Sequence, residues 1–205
     1  TKYAVEGHDP NTLSETIANA YRVAKSGKRG ASFVSIPQDV TDSLVSVKAI
    51  KPLTDPKLGS ASVDDVNYLA QAIRNADLPV LLLGNGASTR AVTNAIRKLL
   101  EAVKLPVVET FQGAGIVSRE LEEDTFFGRV GLFRNQPGDM LLKKADLVIA
   151  IGYDPIEYEA RNWNAEISAR IIVIDVAQAE IDTYFQPERE LIGNIEDTID
   201  LLLPD

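Results

Sequence analysis

The sequence predicts an α/β fold: an open, doubly wound, mainly parallel sheet of about five or six strands, preceded by a partial N-terminal segment. Three short apolar runs carry this prediction, at 79–84, 145–152 and 170–175, and each of them stops at Gly or Asp. Runs that are apolar on both faces suit strands of a parallel sheet that is covered by helices on each side. Ligands of such sheets bind beyond the carboxyl ends of the strands, where Gly84, Gly152 and Asp175 are expected to lie.

The first part of the chain is too short to form a core by itself. A helix with an N-cap near Asn11 and a short strand over 31–36 are the elements that its pattern predicts. We therefore expect residues 1–40 to be the C-terminal piece of a preceding domain. Residues 41–61 contain several prolines and no sustained helical or strand period, which is typical of a linker between domains.

Helices and buried strands alternate over residues 62–205, which we expect to form one domain. The predicted helices follow caps at Ser62 and at Ser88 or Thr89, and a further helix opens at Pro137 or Gly138. The remaining expectations, in chain order, are strands at 79–83 and 106–110, an irregular stretch at 116–133, strands at 146–151 and 170–175, a helical turn around Glu180, a short strand near Leu191 and a final helix over 195–202.

Composition excludes several classes of function. The formal net charge is -9 over 205 residues, so electrostatic attraction to nucleic acid or to an anionic membrane is not expected. No apolar run approaches the roughly 18 residues that a membrane-spanning helix needs. The chain has no Cys, which excludes disulfides and thiolate chemistry and fits a cytoplasmic location.

The sequence offers few residues that could carry out catalysis. The single histidine, His8, lies in a polar stretch far in sequence from any strand-end loop, so we do not assign it a catalytic role. A His-based triad and a His-rich zinc site are thereby set aside. If the chain belongs to an enzyme, much of the chemistry is expected to lie elsewhere.

The loop Gly84-Asn85-Gly86 is the first candidate binding site. It joins a buried strand to a capped helix, whose N-terminus offers free N–H groups to a phosphate. As a dinucleotide fingerprint it is incomplete, because Thr89 stands where the last Gly is needed. Glu109, at the end of the next strand, imitates a ribose-binding acid. The sequence leaves two interpretations open: this loop contacts a ligand, or it is a purely structural turn.

Three further loops offer polar candidates. Gln112 and Gly113 follow the strand at 106–110, where a small residue permits close backbone approach and the amide donates and accepts hydrogen bonds. Arg134 and Asn135 precede a helix, and Arg134 has the geometry to bind a carboxylate or phosphate, or to form a surface contact. Asp175 ends a strand, where it either accepts a bond from a ribose hydroxyl or caps the next turn.

The sequence gives only weak support for a metal-binding site in the loop 152–159. The loop holds three acids, which would suit a hard cation such as Mg²⁺, but Asp154-Pro155 is a better match to a turn. We predict no metal site in this chain.

Several of these segments resemble a known family. Phe33–Val40, followed by the Pro-containing linker, resembles the junction between the pyrimidine-binding and central domains of thiamine-diphosphate-dependent decarboxylases and acetohydroxyacid synthases. Three segments are similar to the strand-end motifs of that central domain: Leu83–Ala87, Ala145–Gly152 and Ile174–Ile181. Three others resemble the catabolic, flavin-independent acetolactate synthases: Glu109–Gly115, Phe127–Asp139 and Ile151–Tyr158. The resemblance covers essentially the whole chain.

The resemblance implies a function for a complete enzyme. Such an enzyme condenses two pyruvates to 2-acetolactate and CO₂, with thiamine diphosphate as electron sink and Mg²⁺ to hold it. The glutamate that activates the cofactor in this family, and the Gly-Asp-Gly…Asn motif for Mg²⁺ and diphosphate, are both absent from this sequence. The chain is therefore expected to be a non-catalytic scaffold and active-site wall, inactive alone, from an enzyme that is a homodimer or homotetramer.

The resemblance also bears on FAD. Anabolic relatives bind FAD in this domain, with an Arg-rich segment after the strand that here ends at Gly152. Tyr153-Asp154-Pro155 replaces that segment and cannot neutralise a pyrophosphate, so we predict that FAD is absent. Two other functions stay open for the same sheet: a stand-alone FAD or nucleotide-binding module, and a domain for subunit assembly.

Overall fold

The computed structural model describes residues 1–51, 53–133 and 136–203. The chain divides into two compact units, of which the first is Thr1–Lys57 and the second begins at Leu58.

The first unit holds a two-stranded parallel sheet. Its elements are β1 (Tyr3–Glu6), a 3₁₀ turn (Pro10–Thr12), α1 (Leu13–Lys25), β2 (Ser32–Ser35) and α2 (Gln38–Thr41). Strands β1 and β2 pair from Tyr3 with Ser32 to Glu6 with Ser35. The helix and the strand β2 confirm the sequence prediction, whereas β1 was not predicted. The N-cap residue of α1 is Thr12, next to Asn11 as expected, although its side chain makes no cap hydrogen bond. The preceding 3₁₀ turn is capped by Asp9, which accepts from the Asn11 N–H at 2.9 Å.

The second unit is a six-stranded sheet in which every strand pair is parallel. The fold class is therefore as predicted. Its elements are α3 (Val63–Asn75), β3 (Pro79–Leu83), a 3₁₀ turn (Asn85–Ala87), α4 (Arg90–Ala102), β4 (Val107–Thr110), α5 (Arg119–Thr125), β5 (Phe126–Val130), α6 (Pro137–Leu142), β6 (Leu147–Ile151), a 3₁₀ turn (Ala160–Asn162), β7 (Arg170–Asp175), β8 (Arg189–Ile192) and α7 (Ile195–Asp200).

The predicted caps of the two long helices are confirmed. The Ser62 side chain accepts from the Asp65 N–H at 3.1 Å, and that of Thr89 accepts from the Val92 N–H at 3.4 Å. Each cap satisfies a backbone donor that a helix start otherwise leaves unpaired.

The prediction of an irregular stretch at 116–133 was wrong, because α5 and β5 lie within it. Helix α5 is dominated by acids and lacks an apolar stripe, and β5 contains Gly128 at φ +102°. Neither element shows the period on which a sequence prediction rests. The helical turn expected around Glu180 is also absent: residues 178–182 are described and take no regular structure. The last helix ends at Asp200 rather than at 202.

The two faces of the sheet are covered differently. One face packs against α3, α4 and α7, through buried side chains such as Leu69, Ile96 and Ile199. The other packs against α6 and against aromatic side chains from loops, namely Tyr153, Tyr158, Trp163 and Phe185. On this second face, loops take the place of long helices.

The strand order β5-β4-β3-β6-β7-β8 creates a switch point. From β3 the chain builds outward to β4 and β5, and then returns to the other side of β3 to build β6, β7 and β8. The loops after β3 and β6 therefore leave the sheet in opposite directions, and a crevice is expected between them.

Candidate functional site

The loops after β3, β4 and β6 meet at the switch point, and they do so in direct contact. The Gly84 N–H donates to the Ile151 carbonyl at 3.0 Å, and the Gly86 N–H donates to the Gly152 carbonyl at 2.8 Å. A side chain on Gly113 would lie 2.5 Å from the carbonyl oxygen of Leu83. The structure thus brings Gly84, Gly86 and Gly113 together.

Gly152 is the residue whose backbone demands glycine most strongly. Its φ is +56°, and a Cβ there would lie 2.4 Å from the Ala87 nitrogen. A Cβ on Gly84 would likewise lie 2.5 Å from the Tyr153 Cα. These glycines allow two segments of backbone to pack on each other, so their presence by itself does not require a ligand.

The amides of the loop after β3 are already paired within the chain. Besides Gly84 and Gly86, the Ala87 N–H donates to the Gly84 carbonyl at 3.0 Å, and the Ser88 N–H to the Asn85 carbonyl at 3.1 Å. The Asn85 N–H donates to Glu157, at 3.1 Å to Oε1 and 3.2 Å to Oε2. A phosphate at this loop would have to displace these bonds.

The Glu157 carboxylate lies where the three loops converge. Its Oε2 also accepts from the Thr110 hydroxyl at 2.6 Å, and its Oε1 accepts from the Asp154 N–H at 3.3 Å. Glu157 is partly buried and Thr110 fully buried. The expected turn at Asp154-Pro155 is confirmed, because the Glu157 N–H donates to the Asp154 carbonyl at 2.9 Å.

Glu109 is committed to the chain's own backbone. Its Oε2 accepts from the Gly115 N–H at 3.1 Å and its Oε1 from the Val117 N–H at 2.8 Å, while Arg129 Nε lies 3.3 Å from Oε2. Glu109 is only 1% exposed. It therefore holds the loop after β4 rather than presenting a carboxylate to a ribose.

A side chain of helix α4 also holds the loop after β4 in place. Arg97 donates from Nε to the Ile116 carbonyl at 2.7 Å and from Nη2 to the Gly115 carbonyl at 3.0 Å. Gln112 is exposed at the crest of this loop, beside Gly113, whose N–H donates to the Thr110 hydroxyl at 3.0 Å. Gln112 is thus presented by a rigid turn.

The other predicted polar residues lie at separate places. Asp175 is 2% exposed at the end of β7 and accepts from the Val176 N–H at 2.6 Å, so its carboxylate turns into the following bend. Arg134 and Asn135 lie outside the described residues.

The acids of the loop 152–159 do not converge on one point. Asp154 accepts from the Ile156 N–H at 3.1 Å, Glu157 binds the amides named above, and Glu159 lies 2.6 Å from Arg161 Nε. Across residues 1–51, 53–133 and 136–203, no group of three or more potential ligand side chains could hold a metal ion.

A shallow cavity of about 300 Å³ adjoins Glu157. Its wall includes Gly131, Leu132, Phe133, Ile156 and Arg161. Tyr158 also lines this cavity, and its buried hydroxyl donates to Asp139 Oδ1 at 2.5 Å. Asp139 Oδ2 also caps α6 by accepting from the Gln136 N–H at 2.8 Å.

Tyr153 anchors the loop after β6 to the aromatic layer. Its hydroxyl donates to the Tyr158 carbonyl, and its ring meets Phe185 edge-on at a centroid distance of 5.3 Å. Burial raises the pKa of the Tyr153 hydroxyl above its ordinary value, so it stays protonated and remains a donor.

The sequence reasoning did not single out Glu157 or Thr110. The three acids of the loop suggested a cation, whereas Glu157 in fact accepts from backbone amides and a hydroxyl. A clue was present in the Asp-Pro turn, which fixes the residue that follows it at a defined position after the strand.

None of the helices in the part of the chain that the structure describes is long and apolar enough to cross a membrane.

Comparisons with known proteins agree on one family. The family model described as "Thiamine pyrophosphate enzyme, central domain" matches residues 66–202. The chain is 48% identical over 199 residues to an acetolactate synthase of Bacillus subtilis, and 41% identical over 204 residues to the catabolic acetolactate synthase of Raoultella terrigena. It is 29% identical over 207 residues to human 2-hydroxyacyl-CoA lyase 1.

These alignments cover 97%, 98% and 95% of this chain, but 35%, 36% and 33% of the relatives. The chain therefore spans about a third of the length of the curated relatives that it matches.

Proposed function

This chain belongs to the thiamine pyrophosphate enzymes, as a central domain of that family, and on this premise we propose that it is the non-catalytic central domain of a catabolic, flavin-independent acetolactate synthase. The observation that carries the proposal is the identity of 48% and 41% to two acetolactate synthases over nearly the whole chain. The full enzyme condenses two pyruvates to 2-acetolactate and releases CO₂ in the cytoplasm, as a homodimer or homotetramer.

The cofactors of this reaction are bound by other parts of the enzyme. Thiamine diphosphate supplies the electron sink for decarboxylation, and Mg²⁺ holds its diphosphate. The described residues of this chain do not fit that role, because they contain no cluster of acidic or histidine ligands for the metal. The chain acts as a frame and as one wall of the active site, and by itself it is inactive. Residues 1–40 are the end of the pyrimidine-binding domain, and 41–61 are the linker.

The absence of FAD is supported by the switch point. Every amide from Gly84 to Ser88 donates to an acceptor of the chain itself. The Glu157 carboxylate adds a negative charge at the place where a pyrophosphate would need donors. A dinucleotide would have to break these bonds and approach an acid, and both cost free energy.

We place the residues that face the substrate at the same edge of the sheet, beyond the carboxyl ends of its strands. Gln112 is exposed on a loop that Glu109 and Arg97 hold rigid, so it is placed to donate or accept a hydrogen bond at small cost in entropy. Arg134 and Asn135 follow the cavity residues Leu132 and Phe133 in sequence, and Arg134 would pair with the carboxylate of pyruvate. Gly84, Asn85, Gly86, Gly113 and Asp175 shape the crevice.

Two measurements test the proposal. Isothermal titration of this chain with FAD is expected to be flat, with a flavin-binding anabolic acetolactate synthase as positive control. Tight FAD binding would refute the flavin-independent assignment and favour a nucleotide-binding module. An acetolactate assay with pyruvate, thiamine diphosphate and Mg²⁺ is expected to give no product from this chain alone. Product formation by the isolated chain would refute its non-catalytic role.

A further inference from the structure

The three strand-end loops form a cradle of neutral donors. The Asn85 N–H follows β3, the Thr110 hydroxyl ends β4, and the Asp154 N–H follows β6. Because the carboxyl ends of parallel strands meet at one edge, these donors reach the same point although they lie far apart in sequence. Convergent N–H and O–H groups of this kind are what a protein uses to bind an anion.

The anion that fills this cradle is a side chain of the protein itself, the Glu157 carboxylate. Both oxygens of Glu157 are used, with contacts of 3.1, 3.2 and 3.3 Å to backbone nitrogens and 2.6 Å to the Thr110 oxygen. The Thr110 hydroxyl accepts from the Gly113 N–H at 3.0 Å, so its own proton is free to point at the carboxylate. The Gly113 N–H thus orients the Thr110 hydroxyl toward Glu157.

The cradle also lies at the switch point between β3 and β6, which is where ligands of such sheets bind. The geometry points to Glu157 as an internal anion: its carboxylate fills an anion-binding position formed by the loops after three strands and closes that position to outside ligands. This inference rests on the proposed flavin-independent function, and it names the residue that makes the switch point unavailable.

Chemical rescue tests the inference directly. Glu157→Ala removes the carboxylate and leaves the three donors facing a void of about its size. We expect the variant to melt roughly 5 °C or more below the unchanged chain, because the buried Thr110 hydroxyl and two backbone N–H groups lose their acceptor. Sodium formate, which has the shape and charge of the missing group, is expected to restore most of that loss. Formamide, which is neutral and of similar size, is expected to restore little.

The control variant is Glu159→Ala. Glu159 lies two positions along the same loop, is exposed and pairs with Arg161. Formate is expected to leave this variant and the unchanged chain unaffected. The inference is overturned if formate fails to rescue folded Glu157→Ala, if formamide rescues it equally, or if formate stabilises all three proteins alike.

If Glu157→Ala does not fold, Glu157→Gln provides the test. Its amide keeps the shape but loses the charge, and it turns an N–H₂ group toward one of the donors. We expect a melting temperature clearly below that of Glu159→Gln, and equal values would overturn the inference. Both readouts are melting temperatures, so they are independent of the FAD titration. Failure of rescue with a flat FAD titration would remove this inference and leave the proposed function intact.

Discussion

Single carboxylates fasten backbone segments at both ends of the parallel sheet. At the carboxyl ends, Glu109 and Glu157 accept from loop amides. At the amino ends, Asp146 precedes β6 and accepts from the Asp77 N–H at 2.9 Å and the Leu78 N–H at 2.8 Å, just before β3. Charge-assisted bonds of this type are stronger than bonds between neutral groups. Glu109 and Glu157, which lie in segments that the sequence suggested as ligand sites, are therefore structural acceptors.

The substitution Asp146→Asn tests whether a single carboxylate stabilises the chain by accepting from backbone amides. Asn keeps one acceptor oxygen but places an N–H₂ group against a backbone N–H, so we expect a loss of about 1–3 kcal/mol in the free energy of unfolding at pH 7. Glu166→Gln, at an exposed position, is the control and is expected to change it by less than about 0.5 kcal/mol. Urea denaturation followed by circular dichroism measures both.

The stability that the Asp146 carboxylate contributes is expected to depend on pH. Burial of Asp146 opposes its ionisation, but the amide bonds from Asp77 and Leu78 outweigh it and lower its pKa below the ordinary value of 3.8. A depressed pKa gives stability that is present above 3.8 and is lost as the pH falls through the folded-state pKa. The difference between the unchanged chain and Asp146→Asn should thus be constant near neutral pH and shrink in acid. A difference that grows in acid would contradict this assignment.

At the level of elements, one face of the sheet depends on aromatic loops. Helix α6 is only six residues long, and the rest of that face is covered by the loops that carry Tyr153, Trp163 and Phe185. The rings meet edge-on, with centroids 5.3 to 6.4 Å apart. The same Tyr153 fixes the loop that leads to Glu157. Packing of this layer therefore positions the switch point.

Phe185→Ala is expected to weaken the layer strongly. Phe185 is fully buried, so its removal leaves a cavity and should cost about 3–5 kcal/mol. Phe127→Ala, at a side chain that is 42% exposed, is the control and should cost much less. Trp163 is the only tryptophan of the chain, so its fluorescence reports on this layer during unfolding. An equal loss in the two variants would show that the layer is not a stabilising core.

At the level of the whole molecule, the two units differ in what they bury. Both hydrophobic clusters and all six strands of the large sheet lie in the unit that begins at Leu58. In the described part of the first unit, the buried hydrophobic residues are Ala20 and Val40. A two-stranded sheet with so small a core is at best marginally stable in water.

Separate expression of the two units is therefore expected to give different results. Residues 58–205 should show a cooperative thermal transition by circular dichroism, with a content of secondary structure close to that of the same residues in the full chain. Residues 1–57 alone should give the spectrum of an unfolded chain. A folded first unit, or an unfolded second one, would contradict this prediction.

The sequence by itself determined the parallel α/β class, the buried strands, the cap at Ser62, a second cap at Ser88 or Thr89, and the family resemblance, because burial on both faces and helix capping leave local patterns. It could not supply β5, whose Gly128 lies in a short strand paired through a register shift. Only the tertiary structure decided the strand order and the role of Glu157, whose partners Thr110 and Asn85 lie 47 and 72 residues away along the chain. Contacts over such separations depend on which strand ends become neighbours, and no local pattern of residues encodes that.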